Sequence, residues 1–352
     1  MSISEILRVF FQKGASDLHM TTGAPPMFRI DGEMIPSEFE RLTPESVQQL
    51  VYSILTDSQK ERFERENELD AAFGVEGMGR IRMNIFRQRG TVAAALRNVP
   101  SKIPSFEELG LPDAVNQIVK FPKGLVLVTG PTGSGKSTTL AAMIDYLNEH
   151  RRGHIVTVED PIEFIHRHKS CIVNQREVGH DTNSFAAALK YVLRQDPDII
   201  LVGEMRDLET TSTALVASET GHLVFGTLHT TDCVQTINRI IDIFPPHQQS
   251  QIRAQISFVL QSVLSQQLLP RAYSGGRVLA AEVLMLTPAV RNLIREEKVH
   301  QIYSSMQTSA EAGMITMNKA LVELYKKQMV TYNEIFARTL DPKDLERMVK
   351  GS

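Results

Sequence analysis

The chain has 352 residues, 42% hydrophobic and 22% charged, which excludes a wholly disordered protein and leaves room for two cores. A net charge of −3 and a pI near 6.4 disfavour a surface coated for nucleic-acid binding. The two cysteines, Cys171 and Cys233, are too few for a disulfide framework or a four-thiolate zinc site, a pattern that suits a reducing cytosol.

At the N-terminus, Ser2 and Glu5 stand at capping-box spacing ahead of Ile6, Leu7 and Phe10, predicting a short amphipathic helix that stops at Gly14. No basic region precedes these apolar residues, and Glu5 and Arg8 lie among them, so the stretch does not read as a signal peptide. "PMFRIDGEMI" predicts two short strands around an Asp-Gly turn. Thr43 and Pro44 start a helix with Val47, Leu50, Val51 and Ile54 on one stripe. "LDAAFGV", "RIRMNIF" and "TVAAALR" read as strands, which makes residues 1–98 a small α+β domain with an antiparallel sheet. "NVPSKIPSFEELGLP" holds three prolines and no long periodic segment, so a linker is expected over 99–122.

From Lys123 to residue 285, the apolar runs "GLVLVTG", "HIVTVED", "DIILVGE" and "LVFGTLH" alternate with helical stretches, the pattern of an α/β domain whose parallel sheet is buried on both faces. Residues 286–352 read as a helical segment, with Thr287–Pro288 and Asp341–Pro342 as start signals. "VLAAEVLMLTPAV" is interrupted by Glu282 and Pro288, and no segment reaches the roughly 18 apolar residues that span a bilayer. Direct membrane insertion is not expected; any membrane association would come through a partner.

"GPTGSGKSTT" fits G-x-x-x-x-G-K-[ST] through Gly130, Gly135, Lys136 and Ser137, with a strand before it and a helix after it. The expected nucleotide cradle runs over Thr132, Gly133, Ser134, Gly135, Lys136, Ser137 and Thr138. Glycines let successive backbone N–H groups turn inward, the helix N-terminus favours negative charge, and Lys136 adds a compact cation. Ser137 can ligate Mg²⁺ through its hydroxyl, and Glu204, at the carboxyl end of "DIILVGE", is the matching Mg²⁺-associated carboxylate acting through water. Glu159, Asp160 and Glu163 form a second acidic group at the same edge. Glu163 is the foremost candidate there to orient or deprotonate the attacking water, and helix capping is the other reading for Glu159 and Asp160.

His222 and His229 do not make a metal pair, because seven residues of strand span about 23 Å and an odd offset points side chains to opposite faces. His229, at the carboxyl end, can reach a γ-phosphate, whereas His222 reads as a core or interface histidine. Arg80 and Arg82 point the same way on their strand, and Arg97 ends the next one. On the residues alone, a solvated basic face describes them.

The run "GPTGSGKST", "VEDPIEF", "QREVGHDT", "LRQDPDIILVGEMRD" and "TGHLVFGTLHTTD" resembles, in order, the motifs of the secretion-type hexameric ATPases that drive type IV pili and type II secretion. "SDLHM" and "GRIRMNIF" extend the likeness to that family's PAS-like N-terminal domain. "AVRNLIRE" at 289–296 resembles a C-terminal signature of its retraction-type members, and two cysteines cannot build the tetracysteine zinc insertion common in the larger assembly and secretion members. The resemblance implies a RecA-like P-loop NTPase core and a homohexamer that hydrolyses ATP with Mg²⁺. It further implies Glu163 as water-activating carboxylate, Glu204 as Walker B acid, His229 as phosphate sensor, and Arg82 and Arg97 as charges brought by the N-terminal domain. The expected role is a cytoplasmic motor for pilus retraction, held at the inner membrane by a platform protein at the pilus base. An assembly, accessory or secretion ATPase of the same family is the alternative. A RecA-like nucleic-acid motor and a nucleotide-gated scaffold are the readings from other classes, and no nucleic-acid partner is expected.

Overall fold

The computed structural model describes residues 1–30, 32–75, 78–99, 102–273, 275–309 and 312–351. The chain forms two compact units, Met1–Lys102 with Glu163–Ile165, and Ile103–Ile162 with His166–Ser352.

The first unit starts with α1 (Ile3–Gln12), whose Ser2–Glu5 capping box is formed and whose Ile6, Leu7 and Phe10 are buried. There follow β1 (Asp17–Met20), β2 (Met27–Ile30), β3 (Glu33–Pro36), α2 (Pro44–Tyr52), α3 (Asp57–Glu66), β4 (Glu68–Val75), β5 (Gly79–Gln88) and β6 (Thr91–Val99). The strands make one antiparallel sheet in the order β3-β2-β1-β6-β5-β4. Asp31, in the expected Asp-Gly turn between β2 and β3, lies outside the described residues. The hydrophilic sequence of α3, "DSQKERFERE", hides a helix started by a Thr56–Gln59 capping box and anchored by one buried residue, Phe63. Tyr52 packs edge-on against the Phe63 ring at 6.3 Å, and the Arg87 guanidinium lies 5.5 Å from its centroid.

The second unit begins inside the stretch read as a linker. Within 99–122, α4 (Phe106–Leu109) and α5 (Val115–Ile118) bury Phe106, Val115, Ile118 and Val119 in the second core. Four-residue helices carry too little periodicity to show in a proline-rich sequence, yet Ser105 and Glu108 close a capping box there and Gly110 ends the turn at φ +66°.

Beyond them come β7 (Gly124–Thr129), α6 (Lys136–His150), β8 (His154–Glu159), β9 (Ile172–Glu177), α7 (Phe185–Val192), β10 (Ile199–Val202), α8 (Leu208–Glu219), β11 (Leu223–Leu228), α9 (Cys233–Asp242) and α10 (Pro246–Val259). The long strands β12 (Leu260–Pro270) and β13 (Arg277–Met285) follow. Sheet order is β13-β12-β7-β11-β10-β8-β9, parallel except for the antiparallel β12–β13 pair. Every residue of β7, β10 and β11 is buried, which is why these strands read as unbroken apolar runs. "VLAAEVLM" is β13 of this sheet. Among the described residues, no helix is long and apolar enough to cross a membrane. The helices α11 (Pro288–Arg295), α12 (Ile302–Thr308), α13 (Met317–Lys326), α14 (Tyr332–Phe336) and α15 (Pro342–Lys350) complete the unit, with Thr287 and Asp341 as side-chain caps where expected.

Removing the α3 anchor with Phe63→Ala is expected to lower the stability of the first unit by about 3–5 kcal/mol. Native-state hydrogen exchange of the β4–β6 amides in the full chain measures this; unchanged protection would show that α3 is held by something else.

Candidate active site

The site grows from the end of β7. Its six buried residues deliver the chain to Gly130, where φ is +141° and an added Cβ would lie 2.4 Å from the Gln266 carbonyl oxygen of β12 and 2.6 Å from Ser134 Oγ. Only glycine fits so close a backbone approach. Gly133 at φ +78° and Gly135 at +89° complete the reversal into α6. No side chain caps α6: its N-cap is Gly135, so the first amides stay directed toward the loop. The Lys136 ammonium donates to the carbonyls of Gly130 at 2.8 Å and Pro131 at 3.1 Å, which places the cation over the loop. Ser137 and Thr138 follow on the first turn of α6, partly exposed, while Thr132 and Gly133 are exposed at the loop apex.

Two residues not singled out from the sequence brace this cradle. Gln266, wholly buried on β12, donates from Nε2 to Thr139 Oγ1 at 2.8 Å, and its backbone is the wall against Gly130. Arg277, at the start of β13, reaches the Gly133 carbonyl at 3.4 Å through Nη1. The polar run "SQQ" inside a buried strand is the trace of the first; only the β12–β13 pairing brings the second near.

Glu204 and His229 meet at the carboxyl edge of the sheet, where His229 Nε2 is 2.9 Å from Glu204 Oε1 and Arg206 pairs with the same oxygen. The meeting depends on Gly226 in the middle of β11. A Cβ there would come within 2.5 Å of Met205 Sδ, so glycine lets Met205 cross the strand. The Met205 amide then bonds the Thr227 carbonyl at 3.0 Å, and the Thr227 hydroxyl bonds the Gly203 carbonyl. Glu204 is thereby turned toward β11, directly below His229. His222 sits at the opposite edge, partly exposed, donating from Nδ1 to the Ala217 carbonyl at 2.9 Å.

The acidic group at the end of β8 divides. Glu159 Oε1 accepts from Thr157 Oγ1 at 2.6 Å and Gln175 Nε2 at 3.1 Å, a bracing role between β8 and β9 and not a helix cap. Asp160 precedes Pro161 through a cis peptide in a loop and also caps no helix. Glu177, buried on β9, holds the same loop by accepting from the Ile162 amide at 3.3 Å. Glu163 is exposed on the segment Glu163–Ile165 that clusters with the first unit. His166, where the chain re-enters the second unit, is buried with Nδ1 4.0 Å from Asp145, and its amide bonds Gln175 Oε1 at 2.8 Å. Burial pushes this imidazole down to about 4, against an opposing pull from Asp145.

Arg82 and Arg97 also belong to the first unit. They face each other across β5 and β6, and the same cross-strand row continues through Asp17 on β1 to Arg29 on β2. Asp17 accepts from Arg97 Nε at 2.8 Å and lies 3.7 Å from Arg29 Nε. Burial pushes its carboxyl up, but the Arg97 and Ser16 hydrogen bonds outweigh it and hold Asp17 below the ordinary carboxylate value. Asp17 thus pairs with Arg29 and Arg97, while Arg82 stands opposite Arg97 as a like-charge cross-strand pair, which is unfavourable by itself.

A glycine-walled phosphate loop, an uncapped helix N-terminus and a carboxylate–histidine pair at the same edge of a mostly parallel sheet define a P-loop ATPase with a RecA-like core. The chain belongs to the family described as "Type II/IV secretion system protein", whose model matches residues 1–336. It is 51% identical over 331 residues to the type IV pilus retractation ATPase PilT of Pseudomonas aeruginosa, covering 94% of this chain and 96% of that protein. It is 41% identical over 350 residues to the type IV pilus ATPase PilU of the same organism, covering 99% and 92%. The crystal structure of the pilus retraction motor PilT with bound ADP superposes with a TM-score of 0.93 at 54% identity, covering 99% of both chains.

Lys136→Ala is expected to weaken ADP and ATP binding by roughly 10- to 100-fold, the loss of a charge-assisted contact of about 1.5–3 kcal/mol. Calorimetric titration checks it, and unchanged affinity would remove the loop from the site. For His166, the unfolded chain takes up a proton below its ordinary value of 6.5 while the folded chain resists to about 4, so its contribution is present above pH 6.5 and is lost as pH falls through that window. His166→Gln is therefore expected to flatten the pH dependence of stability between 4 and 6.5 by up to about 3 kcal/mol; chemical denaturation at stepped pH values would read an unaltered slope if another group dominates.

Proposed function

We propose that this chain is the ATP-hydrolysing motor of type IV pilus retraction, working as a homohexamer in the cytoplasm at the base of the fibre. The observation that carries this reading is the match to the retraction ATPase over nearly the whole of both chains, with the phosphate loop and the Glu204–His229 pair in place. With only Cys171 and Cys233, the chain lacks the thiols for the zinc insertion expected of larger assembly and secretion members. The likeness to PilU favours an accessory retraction ATPase as the second reading.

In the proposed cycle, the loop amides and Lys136 bind the β- and γ-phosphates of ATP. The α6 N-terminus and the Gly130 cradle suit an anion, and the hydroxyl of Ser137 with the Glu204 carboxylate suits a hard cation. Ser137 and Glu204 would hold Mg²⁺, which when bound supplies charge neutralisation at the phosphates. Glu163 orients the attacking water and accepts its proton, and His229 reads the γ-phosphate through its contact with Glu204. Arg82 and Arg97 supply positive charge to the transferring phosphoryl group; their facing positions on β5 and β6 support this, since binding an anion would relieve the like-charge pair. The domain rearrangement driven by turnover acts on an inner-membrane platform protein, which gives the chain a peripheral place at the membrane with no segment inserted, and no nucleic acid takes part.

Glu163→Gln is expected to keep ADP affinity and abolish phosphate release, because an amide cannot accept the water's proton. In cells that make pili, deletion of the protein and the Glu163→Gln variant should each leave excess fibres that fail to retract. Bald cells would reverse the direction of the motor, retraction at normal force in the deletion would favour the accessory reading, and full turnover by the variant would move the base elsewhere.

A further inference from the structure

Glu282 stands in the middle of β13 with 2% of its surface exposed, in a strand whose other buried residues are apolar. Both carboxylate oxygens are used. Oε1 accepts from the Cys233 amide at 2.8 Å, and Oε2 accepts from the Met317 amide at 3.1 Å. Cys233 is the first residue of α9 and Met317 the first residue of α13, so one buried side chain joins two helix N-termini by accepting from the first amide of each.

What lies on the α9 side matters for turnover. The loop from His229 to Asp232 connects β11 to α9, and His229 touches Glu204. Ser265, the cross-strand partner of Glu282 on β12, donates to the Thr231 carbonyl at 2.9 Å. Thr230 and Thr236 hydroxyls lie 2.7 Å apart, closing the loop over the first turn of α9. The loop is thus held from below by two neighbouring residues of the β12–β13 pair. On the other side, α13 carries the buried Asn318, which donates to the Asp341 carbonyl and the Asp344 carboxylate at 3.0 Å each, fixing α15.

We propose that Glu282 is a positioning residue for ATP turnover, a buried strut that sets the histidine loop by fastening the helix behind it to α13 of the C-terminal segment. Nucleotide state read at His229 then reaches α13, and through Asn318 reaches α15, along one hydrogen-bonded line. The coupling needs both oxygens as acceptors. A glutamine keeps the volume but turns an N–H₂ group against one of the two amides, leaving that helix end unsatisfied. This inference rests on the reading of His229 as the phosphate sensor.

The test compares the native full-length protein with Glu282→Gln by ATPase kinetics and by hydrogen exchange with and without ADP or a non-hydrolysable ATP analogue. The expected result for the variant is a fall in kcat of about tenfold with KM for ATP held within about twofold, since the phosphate loop is untouched. Peptides over residues 230–236 and 316–320 are expected to change protection together on adding nucleotide in the native protein. In Glu282→Gln, only 230–236 should respond. An unchanged kcat, or a 316–320 response that survives in the variant, would overturn the strut. Silence of 316–320 in the native protein while 230–236 responds overturns it too, and decides the matter even if the variant does not fold. Silence of both segments would instead remove His229 as the sensor, and the strut with it.

Discussion

The approach of Gly130 to the backbone of β12 is the constraint on which the rest of the second unit depends. A Cβ on Gly130 would collide with the Gln266 carbonyl oxygen, so the residue that follows β7 must be glycine where β12 passes alongside it. That contact fixes the direction in which the chain leaves the sheet, and hence where the amides of α6 point. Gln266 secures the far side through Thr139. The Gln266 amide nitrogen makes that bond, which ties the wall of the cradle to the helix it faces.

The same economy of glycine and short polar links shapes the other half of the site. Gly226 gives Met205 its path, and the Thr227 and Gly203 bonds lock the two strand ends together. Glu204 and His229 are consequently held as a pair by the strands themselves, and the proposed cycle uses them in that arrangement. Glu159, by contrast, is spent on Thr157 and Gln175. Two carboxylates at one edge of one sheet thus do different work because their hydrogen-bond partners differ.

The first unit poses the opposite physical problem. Its core is apolar and regular, yet one cross-strand row runs Arg29, Asp17, Arg97 and Arg82, with Asp17 paired to the first and third of these. The facing Arg82 and Arg97 are a like-charge pair that an anion would relieve, which is the ground on which the proposed cycle assigns them to the phosphate. Glu163 belongs to the same unit although its sequence neighbours close the acidic loop of the second, so the residues of the proposed cycle are distributed over both units.

By itself, the sequence determined the phosphate loop, the buried parallel strands, the helix caps at Ser2, Thr43, Thr287 and Asp341, and the placement of Glu204 and His229 at one edge. Each follows from local spacing: a glycine pattern before a helix, an apolar run with a polar end, a cap three residues before its amide. α3 escaped because a single anchor, Phe63, holds a charged helix, and α4 and α5 escaped because four residues show no period. Gln266, Arg277 and Glu282 were legible only as oddities in otherwise apolar or terminal positions. Tertiary structure alone decided what they do, since strand pairing brings residues over a hundred positions apart within hydrogen-bond reach, and no local spacing records which strand will lie beside which.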